Sequence, residues 1–282
     1  MISPLRYPGG KVKLYSYFVE LIRINKLYNC VYVEPYAGGA GLALKLLAYG
    51  FVSKVEINDI DPAISSFWRA ILNKTDQFCG KIDATEITVN EWRRQREVYQ
   101  LGVAAGEFEL GFAAYFLNRT SRSGIIEGSG PIGGYSQTGE WKIDARFNKK
   151  VQIDQIRQIS SFRSSITVTS VDAFEFCRER INEPRRLFYL DPPYYVKGSK
   201  LYKNFYKHED HENIADILLD NINSNWVLSY DYADPIVSLY KALEPTIYQL
   251  PYSAGPTAAG SEVIFSGSTL ILPGAEFLPR AA

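Results

Sequence analysis

Val31-Tyr32-Val33-Glu34-Pro35-Tyr36-Ala37-Gly38-Gly39-Ala40-Gly41 is the stretch that decides the fold. Residues 31–35 have the β-branched and aromatic content of a short strand. The glycines permit a tight turn, and a helical run over 42–49 is stopped by Gly50 as its C-cap. A second strand over 54–58 leads into Asp59, and Pro62 can open the helix that follows over 63–72. Together they form one βαβα unit, half of a nucleotide-binding sheet whose ligands lie beyond the carboxyl ends of the strands. The turn lacks the G-x-G-x-x-G spacing of dinucleotide sites, and a glycine turn alone is weak evidence of a ligand. Asp59 strengthens it, because an acid about 20 residues further on, at the second strand's tip, is where such folds hydrogen-bond ribose hydroxyls. An adenosine-containing cofactor other than a nicotinamide one is favoured.

Beyond residue 73 the α/β alternation lapses. Residues 73–165 read as an inserted subdomain: a polar helical stretch around 91–99, then a long loop rich in Gly, Ser and Arg over 110–165. That second half carries eight Lys or Arg against four acids, so charge is segregated in a chain whose 31 basic and 31 acidic residues otherwise cancel. The rhythm returns with a strand over 166–169, a helix over 173–180, a strand over 187–190, a helix over 211–219 and a strand over 226–229. Stretches 246–249 and 263–272 supply the last strands, including an antiparallel hairpin.

The strand over 187–190 runs into Asp191-Pro192-Pro193-Tyr194. Two prolines remove two backbone donors and fix φ, so neither strand nor helix can continue and the nearby carbonyls stay open to a ligand. An acid, free carbonyls and an aromatic ring are thus delivered to a strand tip.

Composition sets the outer limits. A chain of 282 residues with 46% hydrophobic content can build a sizeable core. Cys30, Cys79 and Cys177 are scattered and odd in number, which argues for reduced thiols and a cytoplasmic location. No stretch approaches 18 apolar residues, so no membrane span or signal peptide is expected. His208 and His211 lack further Cys or His partners, so no metal is expected; solvent exposure or a phosphate contact suits them better. Asp172 can cap the helix over 173–180 or touch the edge of a bound adenine.

Tyr7-Pro8-Gly9-Gly10-Lys11, Glu34-Pro35-Tyr36-Ala37-Gly38-Gly39, Asn58-Asp59-Ile60, Phe116-Leu117-Asn118-Arg119 and Asp191-Pro192-Pro193-Tyr194 follow one another in this order across nearly the whole chain. In that order they resemble the Dam-like (D12 class) DNA adenine N6-methyltransferases. Tyr36 stands for the Phe of the family's F-x-G-x-G pattern, and Ala40 stands where its second Gly often falls. The resemblance implies an α/β, Rossmann-like S-adenosylmethionine-dependent methyltransferase fold: a mixed, mostly parallel sheet with helices on both faces. Residues 1–72 and 166–282 would form the catalytic domain, and 73–165 an inserted, mainly helical and loop DNA-recognition subdomain. It also implies that S-adenosylmethionine is held by Tyr7, Gly10 and Lys11, by Glu34, Pro35, Tyr36, Gly38 and Gly39, and by Asp59, Ile60 and Asp191. Catalysis would fall to Asp191, Pro192, Pro193 and Tyr194, acting on an adenine flipped out of double-stranded DNA.

An exocyclic amino nitrogen is a poor nucleophile while its lone pair is delocalised. The Asp191 carboxylate and the Pro192 carbonyl can accept its hydrogens and draw it out of conjugation, while Tyr194 stacks on the base. Asn118, Arg119, Ser121 and Arg122 can read base edges or phosphates, although Arg119 can equally anchor the insert to the core. Lys197, Lys200 and Lys203, interleaved with Tyr202, Phe205 and Tyr206, suit a strand around an extruded base; a solvated lysine-rich loop is the plainer reading. Methylation of cytosine N4, RNA adenine or a protein glutamine shares the same acceptor chemistry. A regulator that holds the cofactor on DNA without turnover is the alternative from another class. A cognate restriction endonuclease is a compatible partner, and oligomeric state is open.

Overall fold

In the computed structural model, the described residues are 2–6, 11–195, 206–250 and 260–279. Seven strands form one sheet in the order β3-β2-β1-β4-β5-β7-β6. They are β1 (Val31–Glu34), β2 (Lys54–Asn58), β3 (Ile166–Thr169), β4 (Arg186–Leu190), β5 (Trp226–Asp231), β6 (Thr246–Leu250) and β7 (Gly260–Ser266). β7 runs antiparallel to both neighbours, and the remaining neighbour pairs are parallel. Strand order reverses between β1, whose chain goes on to β2, and its other neighbour β4. A doubly wound sheet opens its ligand crevice at that point.

The central strands β1, β4 and β5 are buried on both faces. Along β4, Leu187 and Tyr189 join one apolar cluster while Phe188 and Leu190 join another, which follows from the two-residue alternation of a strand. The first cluster is covered by α1 (Tyr15–Ile24), α2 (Gly41–Ala48) and α3 (Pro62–Asn73). The second is covered by α8 (Ala173–Arg180), α9 (His208–Asp220) and α10 (Asp234–Leu239). α3 starts where expected because Asp61 Oδ1 accepts from the Ala63 N–H at 2.8 Å and Pro62 occupies the first turn.

The segment expected to be helix and loop is both, and its helical part extends well beyond the polar stretch around 91–99 into the residues read as loop. Residues 73–165 contain α4 (Thr75–Ala84), α5 (Val89–Gln100), α6 (Glu107–Thr120) and α7 (Lys149–Ser160). α6 is buried at every position from Leu110 to Asn118, so it has no polar face to mark it as a helix in sequence. Gly111 sits where a Cβ would lie 2.7 Å from the Ser66 and Phe67 backbone, so glycine lets α6 press onto α3. The larger apolar cluster runs unbroken from Leu5 through Phe116 and Phe147 to Ile264, across the boundary expected at residue 73. What remains irregular is 121–148, where Tyr135 is 54% and Trp141 62% exposed.

Two further bounds differ. α9 begins three residues before 211 because Asp210 Oδ2 accepts the Lys207 N–H at 2.7 Å and caps the helix. β7 ends at Ser266, short of 272, because Gly267 and Ser268 turn to donate to Trp226 O and Ile222 O at 3.0 and 2.7 Å. Among the described residues no helix is long and apolar enough to cross a membrane.

Candidate functional site

At the tip of β1 the chain turns through Gly38 and Ala40, both left-handed at φ 46° and 45°. Ala40 therefore adopts the backbone that a glycine would adopt more easily, and Gly41 opens α2. The turn is tied down from β2. Asp59 Oδ2 accepts the Gly38 N–H at 2.8 Å and Oδ1 accepts the Asp61 N–H at 3.0 Å. Trp68 Nε1 donates to Gly38 O at 2.9 Å. Burial, reinforced by the nearby Asp61 charge, pushes the Asp59 carboxyl up to about 7. Ile60, next along, is half exposed.

Glu34 is buried beneath the turn, where its Oε1 accepts the Ala43 N–H of α2 at 3.2 Å. Burial pushes its carboxyl up to about 8. Buried Asn58 fastens three strand ends: its Nδ2 donates to Pro35 O and Val171 O, and its Oδ1 accepts from Thr169 Oγ1 and the Val171 N–H. Asp172 accepts the Phe174 and Glu175 N–H groups and caps α8. Tyr36 hydrogen-bonds Tyr206 through their hydroxyls at 2.9 Å.

Asp191 lies at the adjoining tip of β4, with its side chain 24% exposed. Its Oδ1 takes a hydrogen bond from Ser229 Oγ at 3.1 Å and lies 3.2 Å from Lys11 Nζ. Both contacts fall on one oxygen, which leaves Oδ2 as an acceptor among the described residues. Burial pushes this carboxyl up to about 6, with Lys11 pulling it down and Glu262 pushing it further up.

Tyr194 is only 4% exposed; its hydroxyl donates to Glu262 Oε1 at 2.8 Å and accepts from Lys11 Nζ at 3.3 Å. Lys11 also donates to Glu262 Oε2 at 2.9 Å. Burial alone would lower the Lys11 pKa, but Asp191 and Glu262 outweigh it and leave it raised. Past the prolines, the Tyr195 N–H is held by Asp231 Oδ1 at 2.8 Å.

The structure thus brings together Lys11, Glu34 to Gly39, Asp59 and Asp191 to Tyr194 along the carboxyl ends of β1, β2 and β4. Tyr7, Gly10, Lys197, Lys200 and Lys203 lie outside the described residues. The residues of the insert separate. Asn118 is 2% exposed and spends its amide on the Arg6 and Gly124 backbone. Arg119 donates to Pro4 O and Arg146 O, which is the anchoring use considered for it. Ser121 is buried, with Oγ accepting from Trp92 Nε1 at 3.0 Å. Arg122 is exposed.

His211, expected at the surface, is buried instead. Its Nδ1 pairs with Tyr230 Oη at 2.8 Å, its ring packs against Tyr195 and Tyr206, and burial lowers its pKa to about 4. His208 stays on the surface beside Glu212.

Four residues of the site escape sequence reasoning. Ser229 and Asp231 lie in the second half of β5, and Tyr248 and Glu262 meet only when β6 and β7 pair. The one local signal is an acid, Glu262, directly ahead of the apolar run Val263-Ile264-Phe265.

A family model, D12 class N6 adenine-specific DNA methyltransferase, matches residues 7–251 of this chain. The chain is also similar to the Type II methyltransferase M.MjaIII of Methanocaldococcus jannaschii. The two are 23% identical over 205 residues, covering 67% of this chain and 68% of that protein.

Proposed function

The chain belongs to the D12 class N6 adenine-specific DNA methyltransferases, and from that premise we propose that Asp191 and the Pro192 carbonyl are the acceptors that prepare the adenine amino group for methyl transfer. The observation that carries this reading is the one-sided use of Asp191, whose Oδ1 is engaged by Ser229 and Lys11 while Oδ2 remains. Oδ2 accepts one N6 hydrogen and the Pro192 carbonyl accepts the other. The nitrogen then becomes tetrahedral and its lone pair localises. Both acceptors are held by β4 and by the rigid prolines before the base arrives, so little reorganisation accompanies the step. As the N–C bond forms, the nitrogen loses its proton, and a carboxylate poised near 6 can take it transiently before water does.

The residues fit S-adenosylmethionine. The turn through Gly38 and Ala40 presents bare backbone at the strand tips, with the Asp59 carboxylate beside it to accept from hydroxyls. When bound, this cofactor supplies an electrophilic methyl group. Gly38 and Gly39 let backbone lie beneath it, Asp59 accepts from the ribose, Lys11 and Tyr7 serve the methionine end, and Ile60 lies against the adenine.

The adenine leaves a DNA duplex, at a cost of about a few kcal/mol that pocket contacts offset. Recognition of the duplex is assigned to residues 73–165, and within them to 121–148, where Arg122, Tyr135 and Trp141 are exposed. A cognate restriction endonuclease is a partner compatible with this reading.

Incubation with methyl-labelled S-adenosylmethionine and assorted duplexes, followed by digestion to nucleosides, tests the proposal. Label in N6-methyladenosine that disappears in Asp191→Asn is expected; label only in cytosine, or full activity in that variant, refutes it.

A further inference from the structure

Glu262 is fully buried at 0% exposure, and the chemistry above gives it no task. An apolar residue would pack β7 at less cost, since a buried carboxylate gives up its hydration and only ion pairing and hydrogen bonds offset that loss. Three donors converge on it. Tyr194 Oη reaches Oε1 at 2.8 Å, while Lys11 Nζ and Tyr248 Oη reach Oε2 at 2.9 and 2.6 Å.

Two of these donors belong to the reacting end of the site. Lys11 stands between two carboxylates, 2.9 Å from Glu262 and 3.2 Å from Asp191. Without Glu262 the ammonium would belong to Asp191 alone, and a carboxylate neutralised by a close lysine accepts weakly from an amino group. Tyr194 is the other: its hydroxyl marks the far end of the ring, and Glu262 tethers it so that the side chain cannot swing about χ1.

We infer that Glu262 is a positioning residue for methyl transfer, which draws Lys11 off Asp191 and fixes the Tyr194 ring through its hydroxyl. The inference rests on the proposed role of Asp191 as the acceptor. It assigns a function to the antiparallel β7 strand, whose pairing with β5 and β6 brings a carboxylate to the back of the site.

The inference also fixes a pH response. The chargeable groups facing Asp191 are Lys11 from the N-terminal turn, Glu34 on β1 and Glu262 on β7. The phenols around it, Tyr32, Tyr189, Tyr230 and Tyr248, are raised by burial and stay neutral at working pH. Removing the Glu262 charge takes away a like charge and gives Lys11 to Asp191. Both changes favour the ionised form of Asp191.

The test is Glu262→Gln, assayed for N6-methyladenine formation from pH 5 to 9, with cofactor affinity measured by calorimetry. Expected are a fall in kcat of about 10- to 100-fold, in the range that small misplacements produce, and an acid limb of kcat/KM displaced to lower pH. Cofactor affinity should change much less than kcat, since the hydrogen bonds of Glu262 go to Lys11, Tyr194 and Tyr248 and to no residue of the glycine turn. A loss of kcat with the limb unmoved means a merely structural role and overturns the inference.

If Glu262→Gln does not fold, Glu262→Asp keeps the charge but cannot reach both Lys11 and Tyr194. Its kcat should fall about tenfold with the limb in place, and wild-type kcat overturns the inference. Absence of N6-methyladenine with the wild-type enzyme removes the underlying reading. Its presence, with Glu262→Gln indistinguishable from wild type, removes this inference alone.

Discussion

Asn118 grips Arg6 at two points: its Oδ1 accepts the Arg6 N–H and its Nδ2 donates to the Arg6 carbonyl, each at 2.7 Å. This is the geometry of a strand pair made by one side chain, 112 positions away in sequence. It fastens the chain just ahead of the segment that leads to Lys11. Asn118→Leu should leave buried backbone groups unsatisfied and cost about 1–3 kcal/mol. The expected result is a lower thermal midpoint together with a raised cofactor KM, measured by melting and steady-state kinetics. A lowered midpoint with unchanged KM would separate the clamp from the Lys11 segment.

Asp191 must be ionised to accept from an amino group, and burial places its pKa at about 6. The kcat/KM of the wild-type enzyme should therefore fall as pH drops through about 6 and be flat above it. Asp191→Asn should lower kcat by about 10²- to 10³-fold, the range for removing a preorganised electrostatic group. Its cofactor affinity should be little changed. A pH–rate profile without an acid limb in that region would contradict the assignment.

Glu34 and Asp59 are raised by burial, to about 8 and about 7. A carboxyl that binds its proton more tightly when folded lowers stability as pH rises from its unfolded value to its folded one. His211, lowered to about 4, acts in the opposite direction, but its window closes near 6.5. Between pH 6.5 and 8 the cofactor-free protein should therefore lose stability, by on the order of 1–2 kcal/mol. Urea midpoints across that range should show the slope, and Glu34→Gln should flatten it. A midpoint that rises with pH would contradict the burial of these two acids.

Local chemistry was legible in sequence, and long-range pairing was not. The β1 strand, its glycine turn, Asp59 and the prolines after β4 each announce themselves within a few residues, because turn and cap geometry are set by neighbours. α6 carries no such mark, because Leu110, Phe112, Ala113, Phe116 and Leu117 bury every face, and a helix without a polar side has no 3.6-residue period to detect. Asn118 has a side chain able to read a base edge, but residue type tells what a side chain can bond, not that it meets the Arg6 and Gly124 backbone. Glu262 stayed hidden for the same reason: its partner Lys11 is 251 positions away, and only the pairing of β7 with β5 brings them together.

Arg122 and Lys142 carry equal charge on the same irregular segment, and the structure separates their uses. Lys142 Nζ donates to Gln137 O at 2.7 Å and Gly139 O at 2.9 Å, so its ammonium closes its own loop. Arg122 has its backbone pinned instead: its N–H donates to Gly130 O at 3.1 Å, and its carbonyl accepts from Ile125 N–H at 3.1 Å and Ser129 Oγ at 3.2 Å. Its guanidinium is exposed and has no ion pair among the described residues, which leaves it for phosphate. Arg122→Ala should weaken duplex binding at low salt and reduce the slope of log K against log salt by about one. Lys142→Ala should lower the thermal midpoint and change that slope less. Equal slopes for Arg122→Ala and wild type, measured by fluorescence anisotropy across a salt series, would move the DNA-binding face away from Arg122.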